Sequence, residues 1–351
     1  MLVFRVAAFV LGLVITLAAF RSVIRTLVLP RSAPDPLTGI VFRSVRRIFD
    51  LRLRWSRGYS TRDRVMAYYA PISLMFLPIA WLSVVLIGFM FMFWGSGIEN
   101  WGEAFTISGS SLLTLGFAKG DTLFQTILAF FEAALGLILV ALLIAFLPTM
   151  YNAFEQRETA VTLLEVRAGK PPSAVEMLLR YHRNQGLESL HESWRAWEVW
   201  FAEIEESHTS LAALVFFRSP QPHHSWVTAS GTVLDAAALS LSTIDISWDA
   251  QAALCIRAGF LALRRIADFF RVEYNDNPIY PVDPISITRE EFDTVYDRLS
   301  AAGMPVKADR ERAWQDFAGW RVNYDTPLLA LSRLTMAPEA PWTSDREPVT
   351  N

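Results

Sequence analysis

A short loop bearing a threonine and a glycine separates two long apolar stretches of the chain. Its residues are Thr114, Leu115, Gly116 and Phe117. Backbone carbonyl groups can all point at one axis only if some residues take a positive φ, which glycine adopts cheaply. The preceding residues, 102–113, carry no charge after Glu103, are rich in hydroxyl groups and suffice for about three helical turns. The pattern predicts a half-helix followed by a turn of unusual backbone.

The elements that must position this loop are apolar and long. Residues 70–98 contain no charged side chain, and residues 123–150 contain only Glu132. About twenty apolar residues cross roughly 30 Å of hydrocarbon, so both stretches are long enough. Since 52% of the 351 residues are hydrophobic, a membrane protein is the first expectation. A loop in hydrocarbon survives only where protein or a water-filled cavity surrounds it. One such loop cannot enclose a pore, so an oligomer is implied.

A third apolar stretch, residues 1–20, is interrupted only by Arg5. The alternatives are a signal peptide and an uncleaved signal anchor, and we favour the anchor because the sequence ending at Arg21 makes a poor cleavage site. Eleven arginines against three aspartates lie between residues 21 and 64. The positive-inside rule places that linker in the cytoplasm. The N-terminus and the 99–121 loop are then outside the inner (cell) membrane, and everything after Tyr151 is cytoplasmic.

The order of spanning helix, half-helix, Thr–Gly loop and spanning helix resembles the pore module of the potassium-channel superfamily, whose signature is Thr-Val-Gly-Tyr/Phe-Gly-Asp. The resemblance covers residues 70–150. It implies a homotetramer in which filter oxygens replace the hydration shell of a permeating K⁺, with no other cofactor. Carried over by position, the ion-binding residues are Thr114, Leu115, Gly116, Phe117 and Ala118. Entry of the loop from the outer face is also the arrangement in that family.

The chain departs from the signature just after the loop. Ala118 stands at the second filter glycine, and an alanine forced to positive φ costs about 1–2 kcal/mol in each subunit. A ring of Lys119 side chains at the outer mouth would repel cations, although Glu99, Glu103 and Asp121 could offset it. Two alternatives to a potassium channel therefore stay open. One is a poorly selective cation pore, and the other is a non-conducting, membrane-anchored scaffold whose helical domain binds a partner.

Five further positions are expected to support or gate the loop. Ser110 and Ser111 supply small polar side chains behind it. Glu132 is costly inside a span; it either braces the half-helix, lines the permeation path, or is a protonated glutamate satisfied by a serine. Gly136 lies near the position at which many members of the family carry a hinge glycine in the pore-lining helix. Pro148 bends or stops the helix, so it marks either an inner gate or a plain terminator.

The remaining chain reads as all-α. We predict that the last spanning helix continues to Gly169, that Ser173 and Thr288 each open a helix with a capping box, and that residues 225–242 form a core helix. The tryptophans at 194, 197 and 200 fall on one stripe with Ile204, typical of a core or a subunit seam. The expected divisions are an anchor (1–30), a basic linker (31–69), the pore module (70–150), a cytoplasmic helical domain (151–335) and a disordered tail (336–351).

Composition and motifs point away from several other functions. The net charge of −3 gives no bias toward nucleic acid, and the basic residues 43–64, interleaved with apolar ones, are expected to meet anionic lipid headgroups. Cys255 is the only cysteine, so no disulfide framework or thiolate cluster is expected. His191, His208 and the pair at 223–224 lack metal-ligand spacing, and Gly-x-Ser-x-Gly is absent. We expect neither an enzyme nor a bound metal.

Overall fold

A computed structural model of the chain describes residues 2–29, 35–55 and 58–346. Within that part the chain is helical, with one isolated antiparallel bridge between Ile244 and Val306 and no strand. The α-helices are α1 (Leu2–Val23), α2 (Pro36–Leu53), α3 (Tyr59–Met66), α4 (Tyr69–Gly95), α5 (Trp101–Leu112), α6 (Leu123–Ala168), α7 (Ala174–Arg183), α8 (Leu190–Ser210), α9 (Trp226–Ser242), α10 (Ala250–Phe269), α11 (Arg289–Ala301), α12 (Arg310–Arg321) and α13 (Asp325–Thr335). The predicted all-α fold is confirmed at this level.

The chain divides into two compact units. The N-terminal unit comprises Met1–Arg57 and Val65–Asn152, and the C-terminal unit comprises Gly58–Arg64 and Ala153–Asn351. Helix α6 contributes residues to both. In the described part, three segments are long and apolar enough to cross a membrane, namely Leu2–Val28, Tyr59–Gly95 and Leu123–Ala168. A π-helical turn, Ile24–Val28, extends α1 in the first of them.

Small residues bring α1 and α4 into close antiparallel contact. A Cβ atom on Gly12 would lie 2.3 Å from the carbonyl oxygen of Gly88, and one on Gly95 would lie 2.6 Å from that of Arg5. Such close backbone approach is how helices associate in hydrocarbon, where no hydrophobic effect drives them together. Near the other end of α1, the indole of Trp81 donates a 2.9 Å hydrogen bond to Ser22. Single glycines in α1 and α4 thus allow these two helices to pack closely against each other.

Helix α6 runs without interruption through Pro148 to Ala168. Gly169 follows it with φ +80°, a value that favours glycine and ends the helix. The alternative of Pro148 as a plain terminator is therefore wrong, because the helix continues for twenty residues beyond it. A proline removes one backbone hydrogen bond from a helix, so this position is the natural place for a bend.

The two predicted capping boxes have different outcomes. Thr288 and Glu291 form the reciprocal pair of hydrogen bonds at the start of α11. Ser173 precedes α7, but its side chain makes no capping hydrogen bond. Glu176, the expected partner, instead accepts from Arg180 and Arg183 at 3.0 and 2.6 Å. The prediction for Ser173 was wrong because two arginines on the following turns compete for the glutamate.

Helix α9 forms the centre of the C-terminal unit. All of its residues are buried, and α7, α10, α12 and α13 pack around it. Asp235 of α9 pairs with the fully buried Arg321 at 2.6 Å, and Asp325 contacts the same guanidinium at 2.6 Å. Two carboxylates and several hydrogen bonds offset the cost of burying this cation. Helix α9 is therefore a core helix, as predicted, and the tryptophan stripe of α8 lies in the same core.

Residues 336–346 pack onto the C-terminal unit rather than forming the predicted disordered tail. The Trp342 ring lies 5.5 Å from that of Phe317, and its carbonyl accepts a 2.7 Å hydrogen bond from Arg321. Thr343 is fully buried against Gly231, where an added Cβ would lie 2.3 Å from its hydroxyl. The prediction failed because the polar segment is held by a buried arginine distant in sequence. Residues 347–351 of the predicted tail lie outside the described part, as do residue 30 of the predicted anchor and residues 31–34 and 56–57 of the predicted linker.

Residues 58–64, predicted as part of the linker, belong to the C-terminal unit. Arg218 holds them there, since its guanidinium pairs with Asp63 at 2.5 Å and contacts the Tyr59 hydroxyl at 3.3 Å. The same guanidinium donates to the carbonyls of Thr335 and Met336 at the end of α13. One arginine thus joins the start of α3 to the last helix of the unit.

Candidate functional site

Helix α5 is capped at its start and too short to cross a membrane. The side chain of Asn100 accepts a 2.8 Å hydrogen bond from the backbone N–H of Gly102, and Glu103 lies in the first turn. A capping amide and an early carboxylate both stabilise a helix N-terminus. The helix has 12 residues, so it is about 18 Å long. It ends one residue before the predicted boundary.

Three contacts fix the level of α5 against its neighbours. The hydroxyl of Ser108 lies 3.2 Å from the carbonyl of Leu86, nine residues before the end of α4. The same hydroxyl lies 2.5 Å from Glu132, nine residues into α6. The Leu112 carbonyl reaches Gly136, four residues further along α6. At about 1.5 Å per residue, the C-terminal end of α5 lies roughly 20 Å from the start of α6.

The loop begins by folding back on the end of α5. The N–H groups of Leu115 and Thr114 donate to the carbonyls of Ser110 and Ser111 at 2.8 and 3.0 Å. Thr114 has φ +57° and Gly116 has φ +72°. A positive φ at a β-branched residue is a genuine outlier, and strained positions of this kind cost on the order of 1–3 kcal/mol. Strain cannot be inferred from sequence alone, and Thr114 carries it here.

Ala118 differs from its predicted backbone conformation. Thr114 and Gly116 are the positions of positive φ in residues 113–122, and Ala118 is not among them. Its N–H donates a 3.0 Å hydrogen bond to the hydroxyl of the buried Ser110. The strain expected at Ala118 is therefore absent from this conformation, because the positive φ values of the loop occur at Thr114 and Gly116 instead.

The side chains of the loop project away from the unit. Leu115 and Phe117 are 60% and 68% exposed. The Thr114 hydroxyl donates a 2.7 Å hydrogen bond to the neighbouring Leu113 carbonyl and is exposed as well. Lys119 and Asp121 are also exposed. Behind the loop, the buried Ser111 donates its hydroxyl proton to the carbonyl of Ile107 within its own helix. Of the two predicted serines, only Ser110 contacts the loop through its side chain.

Glu132 is fully buried and faces α5. Its Oε1 lies 2.5 Å from the Ser108 hydroxyl, and its Oε2 has no hydrogen-bond partner in the part of the chain that the structure describes. Ser108 has one hydroxyl proton and two acceptors, Glu132 and the Leu86 carbonyl. A Glu132 that carries a proton can donate it to Ser108, which then donates to Leu86, and Oε2 of Glu132 is left without a partner in the described part of the chain. This chain of hydrogen bonds joins α4, α5 and α6.

Gly136 allows α6 to pack closely against the end of α5. A Cβ added at this position would lie 2.4 Å from the carbonyl oxygen of Leu112, well inside van der Waals contact. The absence of a side chain therefore allows α6 to touch the end of α5, immediately before the loop. Its resemblance to a hinge glycine did not anticipate this packing role.

Two residues that sequence reasoning missed fix the end of the loop. The Thr122 hydroxyl accepts from the Gln125 N–H at 3.2 Å, and the Gln125 side chain accepts from the Thr122 N–H at 3.3 Å. This is the reciprocal arrangement of a capping box, and Thr-x-x-Gln before an apolar run is its sequence signal. Gln125 is also buried beneath Gly120, whose added Cβ would lie 2.4 Å from it.

The histidines and the cysteine considered as metal ligands belong to the C-terminal unit. Across residues 2–29, 35–55 and 58–346, no three metal-ligand side chains form a group that could hold an ion. His191 pairs with Asp249 at 2.9 Å, and His224 pairs with Glu165 at 2.7 Å. His208 is fully buried beside Arg157, and burial, together with that guanidinium, holds its pKa well below the usual value. Cys255 is also buried.

Comparison of the chain with protein-family models, with curated proteins and with solved structures gave no match. The arrangement of α4, α5, the loop and α6 must therefore be interpreted from its own geometry.

Proposed function

We propose that the chain assembles as a homotetramer and forms a cation pore of the potassium-channel type. The filter would be built by Thr114, Leu115, Gly116 and Phe117, with Ala118 at its end. In four copies, the carbonyls of these residues and the Thr114 hydroxyl would surround one axis and replace the hydration shell of K⁺. The N-terminus would lie outside the cell membrane and the C-terminal unit in the cytoplasm, as the arginine distribution indicates.

The observation that carries this proposal is the level at which α5 ends. Its last turn lies about 20 Å along α6, although both candidate spans begin or end near Asn100 and Thr122. A helix that enters roughly 30 Å of hydrocarbon, stops inside it and is followed by a returning loop needs a water-filled or protein-lined surrounding. Four loops around a common axis supply that surrounding.

The backbone of the loop gives further support. Thr114 and Gly116 alternate with residues of negative φ, and such alternation lets successive carbonyls turn toward one side. The strain at Thr114 is stored in an exposed loop that is anchored by Ser110 and by the short bonds at the end of α5. Strained backbone that the surroundings hold in place is common at functional sites.

Exposed apolar side chains accord with a membrane and an oligomer. Leu137, Val140 and Ile144 of α6 are exposed in the single chain, which suits contact with lipid or with neighbouring subunits. On α2, Ile48 and Leu51 are exposed among arginines, as expected of a helix at the cytoplasmic membrane face with anionic headgroups near its basic residues.

The C-terminal unit is proposed to assemble or regulate the pore. It contains residues 153–168, the continuation of α6, and residues 58–64, which directly precede α4 along the chain. The Arg218–Asp63 ion pair and the burial of Arg157, which donates to the Leu214 and Phe217 carbonyls, hold these two segments. A rearrangement of the unit would therefore act on the ends of two membrane helices.

The test is ion flux from liposomes containing the full-length protein, under K⁺ and then Na⁺ gradients, with protein-free liposomes for reference. Gly116→Ala should abolish flux, because alanine is strained at φ +72° although its Cβ has open space. Gly109→Ala is the matched control, since this α5 glycine has only the Leu86 side chain at 4.0 Å and should accept a methyl group. Flux that survives Gly116→Ala, or a wild-type protein that is monomeric or dimeric in mild detergent, would refute the pore.

A non-conducting membrane scaffold is the second candidate, favoured by one observation. Lys119 is exposed beside the filter, and the described residues give it no ion pair, so four copies would place positive charge at the mouth. Lys119→Ser separates the candidates. A pore weakened by this charge should conduct better after the substitution, whereas a scaffold should stay silent. Ala118→Gly should change flux little, since Ala118 does not occupy a positive φ. Equal K⁺ and Na⁺ flux would indicate an unselective pore.

A further inference from the structure

An open apolar groove of about 660 Å³ runs along one face of α1 in the N-terminal unit. Leu13 and Leu17 of α1, Met92 of α4 and Phe131 of α6 contribute to its lining. Thr16 contributes an uncharged polar side chain to the lining of the groove, and the Thr16 hydroxyl already donates a hydrogen bond to the Gly12 carbonyl within α1. The wall therefore offers little but hydrocarbon to an occupant.

Two arginines line the end of the groove toward the C-terminal end of α1. They are Arg21 and Arg25. The nearest acidic residue along the chain, Asp35, is already used, since it accepts from Ser22 at 2.5 Å and from the Thr38 N–H at 2.9 Å. No acidic side chain in the described part of the chain forms an ion pair with either arginine. An apolar channel thus opens onto unneutralised positive charge.

The part of the groove between Phe9 and Arg21 matches one leaflet of a bilayer in length. From Leu2 to Arg21 the helix rises about 28 Å, close to the roughly 30 Å of hydrocarbon. From Phe9, at one end of the groove, to Arg21 the rise is about 18 Å, a little more than half of that thickness. In the orientation of the proposed function, on which this step rests, both arginines lie at the cytoplasmic headgroup level.

We infer that this groove binds a membrane phospholipid with an anionic headgroup, its acyl chain along α1 and its phosphate at Arg21 and Arg25. A spanning helix of a second copy fits less well, because its occupancy would leave the arginines without a counter-charge. Within residues 2–28, 69–95 and 123–150, the acidic residue is Glu132, which is buried against Ser108. The phosphate of a phospholipid would supply the negative charge at the two arginines, and its acyl chain would fill the apolar groove.

The test uses the full-length protein, stripped of lipid in mild detergent and incubated with phosphatidylglycerol or phosphatidylcholine of identical acyl chains. Native mass spectrometry counts the retained lipids. Wild type should retain phosphatidylglycerol preferentially, and Arg21→Gln or Arg25→Gln should each weaken retention about fivefold. Arg195→Gln on α8, an exposed arginine of the C-terminal unit that does not line the groove, is the matched control and should leave retention unchanged. Leu17→Trp fills the groove and should reduce retention of both lipids.

Equal retention of the two lipids, or an Arg195→Gln effect as large as that of Arg21→Gln, would overturn the inference. So would a Leu17→Trp variant that loses its oligomeric state while keeping its lipids, because the groove would then be a subunit contact. Lipid counting does not require conduction. A protein that holds phosphatidylglycerol through Arg21 but passes no ions refutes the pore alone, and a conducting protein without lipid preference refutes the groove alone.

Discussion

Gly136→Ala tests whether the contact between α6 and the end of α5 sets the geometry of the loop. The new Cβ would lie 2.4 Å from the Leu112 carbonyl oxygen, whereas an ordinary contact begins near 3.4 Å. The two helices must therefore separate by about 1 Å (3.4 − 2.4) at the residue that precedes the loop. Overpacking of this kind costs about 1–3 kcal/mol, and alanine returns up to about 1 kcal/mol through its higher helix propensity.

The expected stability loss is thus between about 0 and 3 kcal/mol per subunit, while the effect on flux is large. If ion coordination depends on the loop position, a 1 Å displacement in every subunit should lower K⁺ flux at least tenfold, equivalent to about 1.4 kcal/mol. Liposome flux and the melting temperature of the detergent-solubilised oligomer are measured together. Gly109→Ala, with its open surroundings, should match wild type in both. A Gly136→Ala protein that conducts at the wild-type rate as an intact oligomer would refute the reasoning.

Substitutions at three other positions, each with a control variant, probe the Glu132–Ser108 hydrogen bond and the C-terminal unit. Glu132→Gln can still donate a hydrogen bond to Ser108 of α5 and should keep flux, whereas Glu132→Leu should lose flux. Equal flux from both variants would show that conduction does not depend on this hydrogen bond. Thr288→Ala should destabilise the full-length protein by about 1 kcal/mol in thermal unfolding, while Ser173→Ala, which removes no capping bond, should change nothing measurable. Burial and Arg157 lower the pKa of His208, so below about pH 6.5 the unfolded state binds the proton and the folded state does not. Stability should therefore fall as the pH drops from 7.5 to 5.5, by up to about 1.4 kcal/mol per unit. His208→Gln should flatten that dependence, and the exposed His223→Gln should not.

Many features set by neighbours in sequence were predictable, although the capping box predicted at Ser173 did not form and that of Thr122 and Gln125 was missed. Several features set by distant contacts were not predictable. The apolar runs, the bounds of α5 and the Thr288 cap depend on residues within a few turns, so their patterns are visible in the chain. The ordered segment around Trp342 depends on Arg321, a residue of another helix. The site shows the same division. A half-helix and a glycine-bearing loop follow from local pattern, but the close approach at Gly136 arises only when α5 meets α6.

Helix α6 has two parts with different mechanical consequences for the proposed pore. Before Pro148 in the sequence, α6 carries Glu132 and Gly136, which contact α5. After residue 152, α6 belongs to the C-terminal unit. Because Pro148 donates no backbone hydrogen bond, bending at that point costs less than bending elsewhere in the helix. A movement of the C-terminal unit would then be absorbed about 18 Å short of Gly136. In the proposed pore and orientation, regulation by the unit should accordingly open or close the end that follows Pro148, while the proposed filter stays in place.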